Sequence, residues 1–149
     1  MSGRKISVSR FIPAPPEKIF DLLADPKMHP VLDGSGTVRK PRGDNPERLS
    51  MGSEFGMEMK LGTKYPIKNR VVEFEEGRRI AWCHFARNIW RYELEPKDGG
   101  TLVTETFDPS GGRAPGFVLN MLGFFRRNKA GMEKTLENIE RYLAGERRA

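Results

Sequence analysis

A chain of 149 residues with 37% hydrophobic and 31% charged content has the size and balance of one soluble domain around a single core. One cysteine excludes an intramolecular disulfide, and no apolar run approaches the roughly 18 to 20 residues of a membrane-spanning helix. With no apolar leader between Met1 and Lys5, the expectation is a cytoplasmic protein without integral membrane association. The formal charge of +6 is interleaved along the chain with 20 acidic residues, so nucleic acid is not an expected partner.

Ile6, Val8 and Ile12 alternate with polar positions and predict a first strand, ended by Pro13, Pro15 and Pro16. Pro15 or Pro16 suits the first turn of a helix and Glu17 its positive end; Ile19, Phe20, Leu22 and Leu23 supply a buried stripe before Asp25 and Pro26 break it. A short second helix or turn is expected around Lys27 to His29, stopped by Pro30. The glycine-punctuated Asp33 to Thr37 then leads into another strand, and residues 41–52 read as loop.

Phe55, Met57 and Met59 alternate with Glu54, Glu58 and Lys60, the pattern of a strand with one dry and one wet face. Runs at Tyr65 to Glu75, Arg79 to Phe85, Ile89 to Glu95 and Thr101 to Phe107 are separated by hairpin-length connections, which predicts sequential antiparallel pairing. A long helix closes the chain from Pro115 to about Leu143. Met132, Leu136, Ile139 and Leu143 recur on one face, Phe125 precedes Met132 by one heptad, and Glu133, Lys134, Glu137, Asn138 and Arg141 fill the other. Gly145 is the predicted stop, with a frayed tail beyond it. The order of strand, one or two short helices, about six strands and a long helix is α+β.

The stretch from Arg10 to Pro26 (RFIPAPPEKIFDLLADP) resembles the opening of the polyketide cyclase/dehydrase and lipid-transport proteins of the START/Bet v 1-like superfamily. Trp90 to Pro96 (WRYELEP) and Gly100 to Thr106 (GTLVTET) are similar to that family's last two strands, and Gly131 to Leu136 (GMEKTL) to its final helix. The resemblance implies a helix-grip fold: a strongly curved antiparallel sheet of about seven strands wrapped around a long C-terminal helix, with a hydrophobic pocket between them. Such folds serve lipid and sterol carriers, receptors and cyclases alike, so the fold leaves the function open.

No cofactor is expected. His29, His84 and Cys83 lack metal-ligand spacing, Cys83 and His84 are strand neighbours that point to opposite faces, and Asp33 to Thr37 lacks the lysine and spacing of a phosphate loop. The weak catalytic candidates are Glu105, His84 and Tyr92. Glu105 shares a strand face with Val103 and Phe107, and His84 with Ile80 and Trp82; either Glu105 points inward, or Leu102, Thr104 and Thr106 do and Glu105 is solvated. A buried carboxyl there could act as the acid or base that a cyclase or dehydratase requires.

The expected ligand-binding residues are Phe55, Met57, Met59, Trp82, Trp90, Tyr92, Phe107, Phe117, Met121 and Phe125, an aromatic and methionine set larger than a minimal core requires. Three glycines and two prolines between Asp108 and Gly116 suggest a hinge, which makes Gly111 to Phe125 a candidate gate with Phe117 and Met121 as its wall. The favoured function is binding or transport of a lipid-like or polyketide-like hydrophobic small molecule by a monomer or homodimer. The alternatives are a polyketide cyclase or dehydratase, and an interaction module whose apolar helix start docks a partner.

Overall fold

Residues 5–83, 88–109 and 124–148 are described by a computed structural model. Strand β1 (Ile6–Ile12) is followed by α1 (Pro16–Leu23), a 3-10 turn (Pro26–Met28) and α2 (His29–Leu32). Six strands come next: β2 (Val38–Arg42), β3 (Glu54–Leu61), β4 (Thr63–Glu75), β5 (Arg79–Cys83), β6 (Ile89–Lys97) and β7 (Gly100–Asp108). Helix α3 (Phe124–Arg148) closes the chain. All seven strands form one antiparallel sheet in the order β1-β7-β6-β5-β4-β3-β2, so the meander from β2 to β7 is completed by β1 on the far side of β7. This is the helix-grip architecture expected, a curled half-barrel sheet carrying a C-terminal helix.

Local chemistry explains the first elements. Pro15 is the extended N-cap of α1 and Pro16 fills its first turn, where the missing N–H costs nothing; Ile19, Phe20, Leu22 and Leu23 are buried. The Asp25 carboxylate accepts from the Lys27 amide at 3.0 Å and starts the 3-10 turn. Pro30 does not stop the second helix as expected: it occupies the first turn of α2, which runs on to Leu32. Residues 41 and 42, expected as loop, extend β2 because Pro41 and Arg42 pair with Met57 and Gly56.

Met132, Leu136, Ile139 and Leu143 of α3 are all buried, as their spacing predicts. Each contributes about 1.5 to 3 kcal/mol of hydrophobic stabilisation. The helix is held at two places. Arg10 on β1 donates to Glu140 at 2.7 Å, while near α2 the Thr135 hydroxyl accepts from the Gly34 amide and donates to the Gly131 carbonyl, each at 2.9 Å. Asn138 adds a bond to the Leu32 carbonyl at 3.0 Å. Gly34 is required by contact, since a Cβ there would meet Lys134 Cβ and lie 2.6 Å from both the Gly131 carbonyl oxygen and the Thr135 amide nitrogen. Gly145 is not the stop expected, because α3 continues through it to Arg148. The expected helix start at Pro115 lies outside the described residues.

Candidate functional site

Alternation along the strands sends one set of side chains under α3, and cross-strand pairing brings them into rows. Val71, Trp82, Trp90, Phe107 and Ile6 stand side by side across β4, β5, β6, β7 and β1; the next row holds Ile80, Tyr92, Glu105 and Val8. Of the two assignments open in the sequence, the inward one holds for β7. Val103, Glu105 and Phe107 face the core, and Glu105 is only 3% exposed.

Aromatic rings continue this surface. His29 from α2 stacks on Trp82 at 4.7 Å between centroids and meets Phe55 edge-on at 5.2 Å; Trp82 in turn lies 5.6 Å from both Phe55 and Tyr92. Trp90 and Phe107 lie 4.6 Å apart. Tyr92 stands directly opposite Glu105 across the β6–β7 ladder, so phenol and carboxyl are neighbours on the inner face. The path from α2 to the middle of the sheet is thus His29, Trp82, Tyr92, Glu105.

Electrostatics set the protonation of this group. Burial drives the Glu105 carboxyl well above the usual carboxylate range; the Tyr92 hydroxyl opposes that shift, and the negative charge of Asp33 adds to it. Burial likewise raises Tyr92 well above an ordinary phenol, with Glu105 next in effect. His29 is pushed below an ordinary imidazole by burial, against its bond to a backbone carbonyl. That bond joins Nε2 to the Leu23 carbonyl at 2.8 Å. A carbonyl only accepts, so Nε2 carries the proton and the neutral ring keeps its lone pair on Nδ1.

One atom stands out in this environment. Glu105 Oε1 is buried and makes no hydrogen bond among the described residues. Leaving such an atom unpaired costs about 1 to 3 kcal/mol. A protonated carboxyl both donates and accepts, so the pair with Tyr92 offers the polar end of a bound molecule a donor and an acceptor inside an aromatic surface.

The structure brings most of the expected residues to this face. Phe55, Met57, Tyr92 and Phe107 are buried on it and Met59, Trp82 and Trp90 half-buried. His84, Phe117 and Met121 lie outside the described residues, as does the proposed gate segment apart from its last residues; Phe125 is described in its helical backbone only. Sequence reasoning considered His29 only as a metal ligand and missed its ring stack, and it read Asp33 as part of a turn without its charge. Asp33 does hold that turn, accepting from the Gly36 and Val38 amides at 2.9 and 3.2 Å. No spacing rule connects α2 to β5, so no sequence signal pointed to His29.

The family pattern described as polyketide cyclase/dehydrase and lipid transport matches residues 3–144. The chain belongs to this family. Among curated relatives, the uncharacterized protein Rv0088 of Mycobacterium tuberculosis is 38% identical over 150 residues, which cover 95% of this chain. The chain spans 65% of the length of that relative. Protein CV1439 of Chromobacterium violaceum has a similar structure, with a TM-score of 0.71 at 21% identity over 93% of this chain and 96% of that one. The AHSA1-like protein of Aeromonas hydrophila gives 0.68 at 20% identity over 95% and 93%. At these identities the likeness establishes the fold alone. Family and fold together suggest a ligand-binding domain. No helix among the described residues is long and apolar enough to cross a membrane.

Proposed function

We propose that this family member binds a hydrophobic small molecule, lipid-like or polyketide-like, between the inner face of the sheet and α3. Its apolar body would lie against Phe55, Met57, Met59, Trp82, Trp90 and Phe107 and its polar end at Glu105 and Tyr92, with Phe117, Met121 and Phe125 as further ligand-binding candidates. The observation that carries this reading is the unpaired, buried Oε1 of Glu105 beside Tyr92 in an otherwise aromatic setting. A core built only to pack would place an apolar residue at 105 and avoid that cost. The test is native mass spectrometry of the protein after incubation with a lipid extract. A specific compound should be retained, and Glu105→Gln, which keeps shape but changes the donor, should weaken it about tenfold. Retention of nothing by the wild-type chain, or equal retention by the variant, would reject the assignment.

One observation favours the enzymatic alternative. A carboxyl held protonated by burial can deliver its proton to a carbonyl oxygen, the step that begins enolisation or loss of water from a poly-keto chain. Cyclisation of a model poly-keto ester that is abolished by Glu105→Gln, yet keeps substrate affinity, would establish it. Unchanged turnover in Glu105→Gln and His84→Ala would exclude catalysis by these two groups.

A further inference from the structure

Pairing of β2, β3 and β4 gathers charges that are scattered in the sequence. Lys40 stands opposite Glu58, Arg42 opposite Gly56, Lys68 opposite Gly56 on the other side, Arg70 opposite Glu54, and Lys60 opposite Lys64. Partners across a ladder share a face, and these positions alternate with Phe55, Met57 and Met59, so all of them lie on the outer side of the sheet. As far along β4 as Arg70, that face carries six cations, Lys40, Arg42, Lys60, Lys64, Lys68 and Arg70, against two carboxylates, Glu54 and Glu58, a net charge of +4 in a protein whose total is +6; Glu73 and Glu75 follow on the same face further along β4.

The same outer face is built differently over the rest of the sheet. There Arg91 holds Glu73 through two bonds of 2.6 and 2.8 Å and Arg79 holds Glu93 at 3.0 Å, so cations and carboxylates alternate. On the three-stranded end the only ion pairs among the described residues are Lys40 with Glu58 at 3.9 Å and Lys68 with Glu54 at 3.8 Å. Both lysines remain largely exposed, at 66% and 72% of their side-chain surface. Lys60 opposite Lys64 is a cross-strand like-charge pair, which opposes folding. Protection of an open sheet edge accounts for cations on β2, but not for Lys60, which bonds Thr37 on one side and faces Lys64 on the other, or for Arg70, which pairs with Glu54 and Cys83.

We propose that this outer face of β2, β3 and β4 docks the protein on an anionic lipid surface. Charge complementarity selects a negatively charged partner. Two features select a membrane over nucleic acid. Four of the six cations are lysines, flexible point charges suited to a fluid layer of headgroups rather than to the fork geometry that arginine offers a fixed phosphate. Among the described residues the face also has no aromatic side chain on which a base could stack; Tyr65, 38% exposed, belongs to the opposite face of the hairpin with Met59. Peripheral docking of this kind needs no spanning helix, and it does not depend on what the interior binds.

The experiment is co-sedimentation of the full chain with phosphatidylcholine vesicles, with and without phosphatidylserine. Binding should require phosphatidylserine and weaken as salt rises, since the attraction is screened beyond about 8 Å at physiological ionic strength. Each basic side chain near such a surface is worth about a fivefold change in partitioning, so Lys64→Glu with Lys68→Glu should lower it by about 25-fold or more. Lys27→Glu with Lys97→Glu makes the same change of net charge away from this face and should leave most of the binding in place. Circular dichroism of both variants verifies that they fold. Equal losses in the two variants, no binding to anionic vesicles, or tighter binding to a DNA duplex at the same salt would each overturn the assignment. Because the readout uses empty vesicles, its failure leaves the interior ligand reading untouched.

Discussion

Replacing Glu105 by glutamine should make the protein's stability less dependent on pH, in a way the structure lets one calculate. Glutamine keeps the shape and cannot ionise. In the unfolded chain a glutamate titrates near pH 4.3. In the native chain burial, opposed by the Tyr92 hydroxyl and reinforced by Asp33, moves it well above that. Between the two values the native state binds more protons than the unfolded state, so stability is greatest below about pH 4.3 and falls as pH rises towards the native value. The slope approaches about 1.4 kcal/mol per pH unit while the native group stays protonated. Urea unfolding of both proteins at intervals from about pH 5 to about pH 8 should therefore show the variant gaining on the wild type by up to that amount per unit. Other titrations cancel in the difference. Glu73, held low by its hydrogen bonds to Arg91, loses its contribution towards acid pH, but in both chains alike. Parallel stability curves would refute the reasoning, because they would mean that Glu105 titrates in the fold as it does in water.

His29 should show the opposite sign. Its native value is depressed, so its contribution is present above about pH 6.5 and is lost as pH falls towards the lower native value; His29→Phe, which retains a ring against Trp82, should remove that acid-side loss in the same unfolding series. Gly34→Ala should destabilise by about 1 to 3 kcal/mol through overpacking against Gly131 and Thr135, seen as a lower urea midpoint; an unchanged midpoint would mean that α2 and α3 are not locked at this contact.

Much of the fold was legible because its signals are local. Alternation at Phe55, Met57 and Met59 marks a dry face whatever lies against it, and the recurrence of Met132, Leu136, Ile139 and Leu143 marks a helical one. The errors were also local. Pro30 signals a stop in the sequence, yet proline is acceptable in a first turn. Gly145 likewise signals a stop, yet glycine ends a helix by adopting a positive φ; it is not among the positive-φ glycines, and at an exposed position it costs the helix about 1 kcal/mol.

The candidate site was legible only in part. Strand alternation placed Glu105 with Val103 and Phe107 yet was symmetric between inside and outside; the choice came from β1 and β6 closing on either side of β7 and putting Val8 and Tyr92 against the carboxyl. His29 acquired its role from packing, because a stack on Trp82 depends on how α2 lies over β5.

The sequence by itself determined the element order and the apolar faces, since these depend on periodicities of two and of about 3.6 residues that the backbone imposes on any chain, while its motifs carried the family resemblance. Only the tertiary structure decided which polar groups share a neighbourhood. Burial and charge act through space over a few ångströms, so the raised carboxyl of Glu105 and the basic face of β2, β3 and β4 exist only once distant segments are paired.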